Sequence, residues 1–336
     1  MSARSFDKRP VGRTDLTVTT LGLGGASLAG NYNAVPADEA RALVRHATDL
    51  GINYVDTAPH YGFGRSEHLV GDVLREKREG VVLSTKVGRL LRPVHGQDWP
   101  RDEWIDPLPF REVYDYSYDG VMRSFEDSLQ RLGLEKIDML YVHDIGVVTH
   151  GVEGNKPLWQ QLAGGGYKAL RELRDAGLVN AIGLGVNEWQ VLMDAFALGD
   201  WDVFLLAGRY TLLEQTSLTP FLSTCVERGA SVVVGGPFNS GILAGGDRFD
   251  YARAPEAVVA KVRALAAVCR EFDVPLPAAA LQFPLAHPAV CTVLPGPRSS
   301  EELDGILAWW DVTIPDGLWA ALMDKGLLAE GTPIAG

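Results

Sequence analysis

The sequence predicts an α/β chain folded as one (β/α)8 TIM barrel with long loops at its C-terminal face. Three observations predict it. Short β-branched runs alternate with helical patterns along nearly all of the 336 residues, the mark of repeated βα units and a parallel sheet. Eight such runs can be traced, at 18–24, 52–58, 81–87, 137–143, 181–186, 203–209, 231–236 and 290–296. Four residues of interlocking chemistry, Asp56, Tyr61, Lys86 and His143, lie at or just past the ends of these runs, where a barrel carries its site. A doubly wound sheet usually has fewer strands. Barrels of this length are common as one domain, so residues 1–336 are read as one.

The elements follow in order. RPVGRTDLTV has Gly12 at a turn and reads as a small hairpin plugging the barrel bottom. VTTLGLG is the first barrel strand. ADEARALVRHATDLG is helical, with apolar residues three and four apart and a glycine stop. INYVDTA, SEHLVGDVLREK and VVLSTKV give strand, helix, strand; the last largely obeys the continuous pattern of a strand buried on both faces. Residues 88–116 are rich in Pro, Trp and charge and read as a loop on the functional face. YDGVMRSFEDSLQRLG and IDMLYVH continue the repeat. Residues 144–166 end in Gly-Gly-Gly and read as a second long loop. YKALRELRDAG, AIGLGV, EWQVLMDAFALG, VFLLAGR, PFLSTCVERG and SVVVGG alternate helix and strand. EAVVAKVRALAAVCREF with AAALQFPLAH, then VCTVLPG and SEELDGILAWW, complete eight units.

Composition limits the function. The chain is 46% hydrophobic with a formal net charge of −12, which argues against a general nucleic-acid or anionic-membrane surface. No run approaches the ~20 apolar residues of a membrane span. Cys225, Cys269 and Cys291 show no CxxC spacing, and the first residues show no apolar signal region, so reduced thiols and a cytoplasmic setting are expected.

Lys86 is the least ordinary residue. A lysine within a strand buried on both faces needs a partner, and Asp56 at the end of the preceding strand supplies one. A structural ion pair is the plain reading. The functional reading adds Tyr61, whose phenol a neighbouring ammonium would bring toward neutrality for proton transfer, and His143, which would orient a reacting oxygen. The rival is a metal set of Asp56, His60, His143 and Asp144. No HxH or HxxxH spacing supports it and Lys86 would repel the cation, so no metal is expected. A nucleotide fingerprint is absent: Gly22 and Gly24 match GxGxxG, but Ser27 stands at the third glycine.

DTAPHYGFGRSEHLVGDVL, STKVG and YVHD together resemble the aldo-keto reductase family, and the similarity runs in order from LGLGG to LPGPRSSEEL. The resemblance implies that Asp56, Tyr61, Lys86 and His143 are the catalytic tetrad. It implies NAD or NADP held in extended form across the barrel mouth without a Rossmann domain. The contacts it implies are Gly25 and Asn187, the covering loop of Pro237, Phe238, Asn239, Ser240, Gly241 and Leu243, and the final loop of Pro295, Gly296, Arg298 and Glu302. Three positions depart from the family pattern: Val186 precedes Asn187 in place of serine, Ala207 stands for a glutamine, and Gly235 stands for a stacking aromatic. Arg298 suits a 2′-phosphate and Glu302 a free ribose diol, so dual cofactor use leaning to NAD is expected.

VGRLLRP, YDYSYDGVMRSFEDSLQRLGL, YVHDIG and LLAGRYTLLEQ are similar to the sugar dehydrogenase branch of that family, which includes L-fucose and D-threo-aldose 1-dehydrogenases and a pyridoxal 4-dehydrogenase. This implies oxidation of a small polar cyclic hemiacetal, a sugar or pyridoxal, to a lactone by a monomer or small homo-oligomer. A general aldehyde or ketone reductase is the alternative enzyme. A redox-sensing subunit like the potassium-channel β subunits is the alternative of another class.

Overall fold

The computed structural model describes residues 5–96, 98–102 and 104–334. Eight strands form one parallel sheet: β1 (Leu23–Gly24), β2 (Tyr54–Asp56), β3 (Val82–Val87), β4 (Met139–His143), β5 (Ala181–Val186), β6 (Val203–Ala207), β7 (Ser231–Gly235) and β8 (Val290–Leu294), each paired with its neighbours in chain order. The sheet closes between its ends. Leu21 bridges Val293 in parallel, and the Gly22 and Gly24 amides donate to Val293 and Pro295 carbonyls at 2.9 Å each. Helices cover the outside, and the large apolar core lies between them and the strands. A smaller core fills the barrel interior, with Tyr54, Val82, Met139, Tyr141, Val203, Leu205 and Val233.

The expected plug is present. Lys8–Pro10 pairs antiparallel with Thr17–Thr19, and Val11 and Val18 enter the interior core. Arg9 donates to the Val290 carbonyl and the Gly12 amide to Ser231 Oγ, both at 2.7 Å. Both acceptors lie at strand starts, so the hairpin sits at the end opposite the site.

Three expectations change. Residues 18–24 are not one strand: Thr17–Thr19 belongs to the plug and only Leu23–Gly24 to the barrel. The 88–116 segment is not simply a loop, because Arg89–Pro93 and Phe110–Tyr114 pair as an antiparallel hairpin over the mouth. The 144–166 segment is not a loop either. It forms a helix over Val147–Gln161, kinked at Gly151, and continues through a wide turn, Leu162–Gly166, into the helix Tyr167–Asp175. Two of the three glycines serve close packing: a Cβ on Gly166 would lie 2.1 Å from the Tyr116 carbonyl oxygen, and one on Gly165 3.1 Å from Tyr118 Cβ. An unread final helix, Asp316–Asp324, packs on Glu256–Glu271. Among the described residues no helix is long and apolar enough to cross a membrane.

Gly166→Ala is therefore expected to cost about 1–3 kcal/mol through overpacking. Gly305→Ala, in the middle of Ser300–Trp310 with open space around it, should add up to about 1 kcal/mol. Thermal unfolding of both variants checks this; equal Tm shifts would show that the Gly166 contact is not tight.

Candidate active site

Strand periodicity builds the site. Side chains two apart share a face, so Tyr54 and Asp56 on β2, Val82, Ser84 and Lys86 on β3, and Met139, Tyr141 and His143 on β4 all point into the barrel. The parallel register sets Asp56 beside Ser84 and Lys86 beside Tyr141. The upper layer on this side is thus Asp56, Lys86 and His143. On β5, β6 and β7 the same layer holds Gly185, Ala207 and Gly235. One half of the mouth is polar and filled, and the other is vacated by small residues. Between them lies a cavity of about 330 Å³, with Tyr61, Lys86, His143, Asn187 and Ala207 among its lining.

Lys86 is 1% exposed and uses its three ammonium protons on three oxygens: Asp56 Oδ2 at 2.7 Å, the Thr57 carbonyl at 2.9 Å and Tyr61 Oη at 3.1 Å. Ser84 donates to the other Asp56 oxygen at 2.6 Å, and Tyr54 lies 2.9 Å from the Ser84 hydroxyl. Burial raises the Asp56 carboxyl above its ordinary value, with Lys86 and Ser84 pulling against it. Because Tyr61 accepts from Lys86, its own proton is left for the cavity.

The expected lowering of Tyr61 does not occur here. Burial, then the Asp56 and Asp144 carboxylates, push the phenol well above its ordinary range, with Arg89 opposing. Lys86 spends its charge on Asp56 first, so the phenol rests neutral. His143 also rests neutral. Burial, with the charges of Arg89 and Lys86, holds it well below the ordinary imidazole value, and its Nδ1 is buried with no partner among the described residues. The Tyr61 and His143 rings stand 6.0 Å apart and nearly perpendicular.

Sequence reasoning missed Arg89. It is 5% exposed, pairs with Asp144 and with Glu112 at 2.9 Å, and stands 2.9 Å from His60 Nδ1. Burial opposes charge on Glu112, but the His60 hydrogen bond and the Arg89 charge hold its carboxyl below the usual range. The signal was available: Arg89 follows Lys86 by three residues, just past the end of the buried strand Val82–Val87. His60, Asp102 and Glu112 bring ligand-type atoms within 4.8 Å of one another. Arg89 already supplies the cation for that cluster.

The residues expected to hold the cofactor come from several segments around the barrel mouth. Asn187 lines the cavity, donates to Asp144 at 3.2 Å and accepts from the Tyr251 hydroxyl at 3.1 Å. Pro237 opens the loop after β7, in which Asn239, Ser240 and Gly241 all have positive φ. Asn239 Oδ1 is buried without a partner among the described residues. Phe238 packs edge-on against Trp309, and Leu243 is wholly buried, so these two offer backbone rather than side chain. Gly25 is pinned by its amide to the Asp56 carbonyl at 2.8 Å, which a Cβ would approach to 2.5 Å. Pro295 and Gly296 cross beside it; Gly24 donates to the Pro295 carbonyl. Arg298 and Glu302 meet each other: Glu302 accepts from the Arg298 side chain and from its amide at 2.9 Å. The open layer of Gly185, Ala207 and Gly235 and the orphaned Asn239 oxygen fit a bound dinucleotide.

A model of the Aldo/keto reductase family matches residues 20–325. The chain is 50% identical to a pyridoxal 4-dehydrogenase of Microbacterium luteolum, over 98% of this chain and 100% of that one. It is 38% identical to a D-threo-aldose 1-dehydrogenase of Pseudomonas sp, over 93% and 95%. Among solved structures it resembles an aldo-keto reductase from Bacillus halodurans in its holo form, with a TM-score of 0.73 and 26% identity over 98% of both chains.

Two predictions follow from this geometry. Lys86→Met removes the only ammonium donating to Tyr61 Oη among the described residues. The neutral phenol is then favoured further, so the pH limb governing kcat in oxidation should move to higher pH. An unmoved pH–rate profile would make Lys86 purely structural. Glu302→Gln should release Arg298 and raise kcat/KM with NADP+ relative to NAD+, while Arg298→Ala should lower it. A ratio fixed in both variants would mean that this pair does not face the 2′ position.

Proposed function

The chain belongs to the aldo/keto reductase family and is an NAD(P)-dependent oxidoreductase; from that premise we propose that it oxidises a small cyclic hemiacetal to a lactone. The observation that carries the proposal is the hydrogen-bonded chain Asp56–Lys86–Tyr61 opening, beside a neutral His143, into a cavity of about 330 Å³. Likeness over whole chains supports the substrate class, since pyridoxal and a D-threo-aldose both close to hemiacetals. The greater identity puts pyridoxal first.

When bound, oxidised nicotinamide supplies the hydride acceptor and a positive charge beside the phenol. Gly25, Asn187, the 237–243 loop and residues 295–302 would hold it. In oxidation Tyr61 acts as the phenolate, accepting the proton of the hemiacetal hydroxyl and becoming the neutral phenol. Lys86 stabilises the phenolate that precedes this transfer through its bond to Oη. Asp56 holds Lys86 in place, and His143 orients the substrate oxygen by hydrogen bonding. In the reverse direction the neutral phenol donates, which its raised value favours.

A panel of pyridoxal, L-fucose and D-threo-aldoses with NAD+ and NADP+, followed by cofactor absorbance with the lactone identified, tests the proposal. Turnover of at least one hemiacetal, with a lean toward NAD+, is expected. Reduction of simple aldehydes with no hemiacetal oxidised would overturn it. Tyr61→Phe should lose about 10²–10⁴-fold in kcat while cofactor affinity stays within a few fold. Full activity in this variant would remove Tyr61 from the mechanism.

A further inference from the structure

Two polar atoms on the substrate side of the cavity have no place in the tetrad or among the cofactor contacts. Asn31 Oδ1 and Trp104 Nε1 are both buried and have no hydrogen-bond partner among the described residues. Both residues line the cavity. Orphaned buried polar groups are rare in folded proteins and call for a partner. Here the two orphans are neighbours. Asn31 and Trp104 form an antiparallel bridge between the segment after β1 and the hairpin after β3, and the next amide, Ile105, donates to the Gly30 carbonyl at 2.9 Å. Trp104 is 3% exposed, and its ring stands 5.9 Å from Tyr61 and 5.2 Å from His60. The pair is thus held rigidly beside the phenol, on segments other than the β5, β7 and β8 ends that carry most expected cofactor contacts.

The two atoms differ in kind. A carboxamide oxygen only accepts and an indole N–H only donates. Of the common substituents, a hydroxyl serves both at once: it gives its proton to one and takes a proton from the other. A ketone, a methyl group or a carboxylate leaves at least one of the two unpaired.

We propose that Asn31 and Trp104 form a hydroxyl-reading subsite, which selects substrates carrying a hydroxyl in addition to the one at the reacting carbon. The inference deepens the hemiacetal reading, because sugars and pyridoxal both carry such a hydroxyl, but it can be tested apart from it. The reacting oxygen goes to Tyr61 and His143, and the second hydroxyl goes to Trp104 and Asn31. The ring is held between them.

The test uses matched substrates. Oxidation compares pyridoxal with 3-deoxypyridoxal, and an aldose with its 2-deoxy analogue; reduction compares glyceraldehyde with propanal. Trp104→Phe keeps the ring and removes the donor. Asn31→Leu removes the acceptor, and Asn31→Asp restores it. Each of the first two variants should lose about tenfold more kcat/KM on the hydroxylated member than on its partner, chiefly through KM, and Asn31→Asp should keep most of the preference. The double variant should lose little more than either single one, since both bonds go to one hydroxyl. Activity on the deoxy member reports folding, and if Trp104→Phe does not fold, the two Asn31 variants decide. Equal losses on both members would overturn the proposal and leave an ordered water as the partner of the two atoms. A collapsed glyceraldehyde preference with no hemiacetal turned over would keep the subsite and remove the hemiacetal reading. Hemiacetal turnover with unchanged preferences would do the reverse.

Discussion

A charged amine fully buried in the barrel organises everything above it. Lys86 sits where water cannot reach, so its charge must be met from within. The parallel register provides this by bringing the end of β2 beside β3, with Asp56 Oδ2 at 2.7 Å. The remaining two protons fix the chain immediately after β2: one holds the Thr57 carbonyl and the other the Tyr61 oxygen. A turn of five residues is thereby tied to the strand that it left. Ser84 occupies the other carboxylate oxygen, so Asp56 has little freedom to swing away from Lys86. The phenol is positioned by satisfying a buried charge, and no separate device is needed.

The same economy of charge explains why the phenol rests protonated. The cavity rim carries two carboxylates near Tyr61, Asp56 and Asp144, and two cations, Lys86 and Arg89. Each cation is engaged by a carboxylate at hydrogen-bond distance. Desolvation comes first in favouring the neutral form, the Asp56 and Asp144 carboxylates add to it, and Arg89 opposes. His143 follows the same logic from the other side: burial beside two cations keeps it uncharged. A neutral phenol facing the cavity is ready to donate in reduction, whereas oxidation requires that the phenol first lose its proton, with the imidazole neutral in both directions. The direction is then set by which cofactor form and which substrate are present.

Much of this was legible in the sequence because parallel strands buried on both faces leave unbroken apolar runs. Seven of the eight runs became single barrel strands, the first being divided between the plug and β1, and Asp56, Lys86 and His143 stood out as polar residues at their ends. The failures share a cause: each depended on contacts between distant segments. The Gly-Gly-Gly of 164–166 reads as a loop until Tyr116 is seen lying against it. The 88–116 hairpin lacks a short turn to announce it, since 16 residues separate its strands at Pro93 and Phe110. Arg89 was passed over because its partners, Glu112 and Asp144, lie 23 and 55 residues away.

The division of the upper layer accounts for the departures from the family pattern. Ala207 and Gly235 stand where a glutamine and an aromatic residue were expected, and with Gly185 they line up on adjacent strands. A large side chain at any of these positions would meet neighbouring side chains. A Cβ on Gly185 would lie 3.3 Å from Lys86 Cε, and one on Gly235 would lie 3.2 Å from Leu205 Cδ2. Loss of those side chains therefore removes individual contacts while widening the floor. Above the layer, Asn187, Asp144 and Tyr251 are joined to one another by hydrogen bonds. Asp144 is the hinge of this arrangement, because it also pairs with Arg89 on the substrate side. A single carboxylate thus links the polar half of the mouth to the open half.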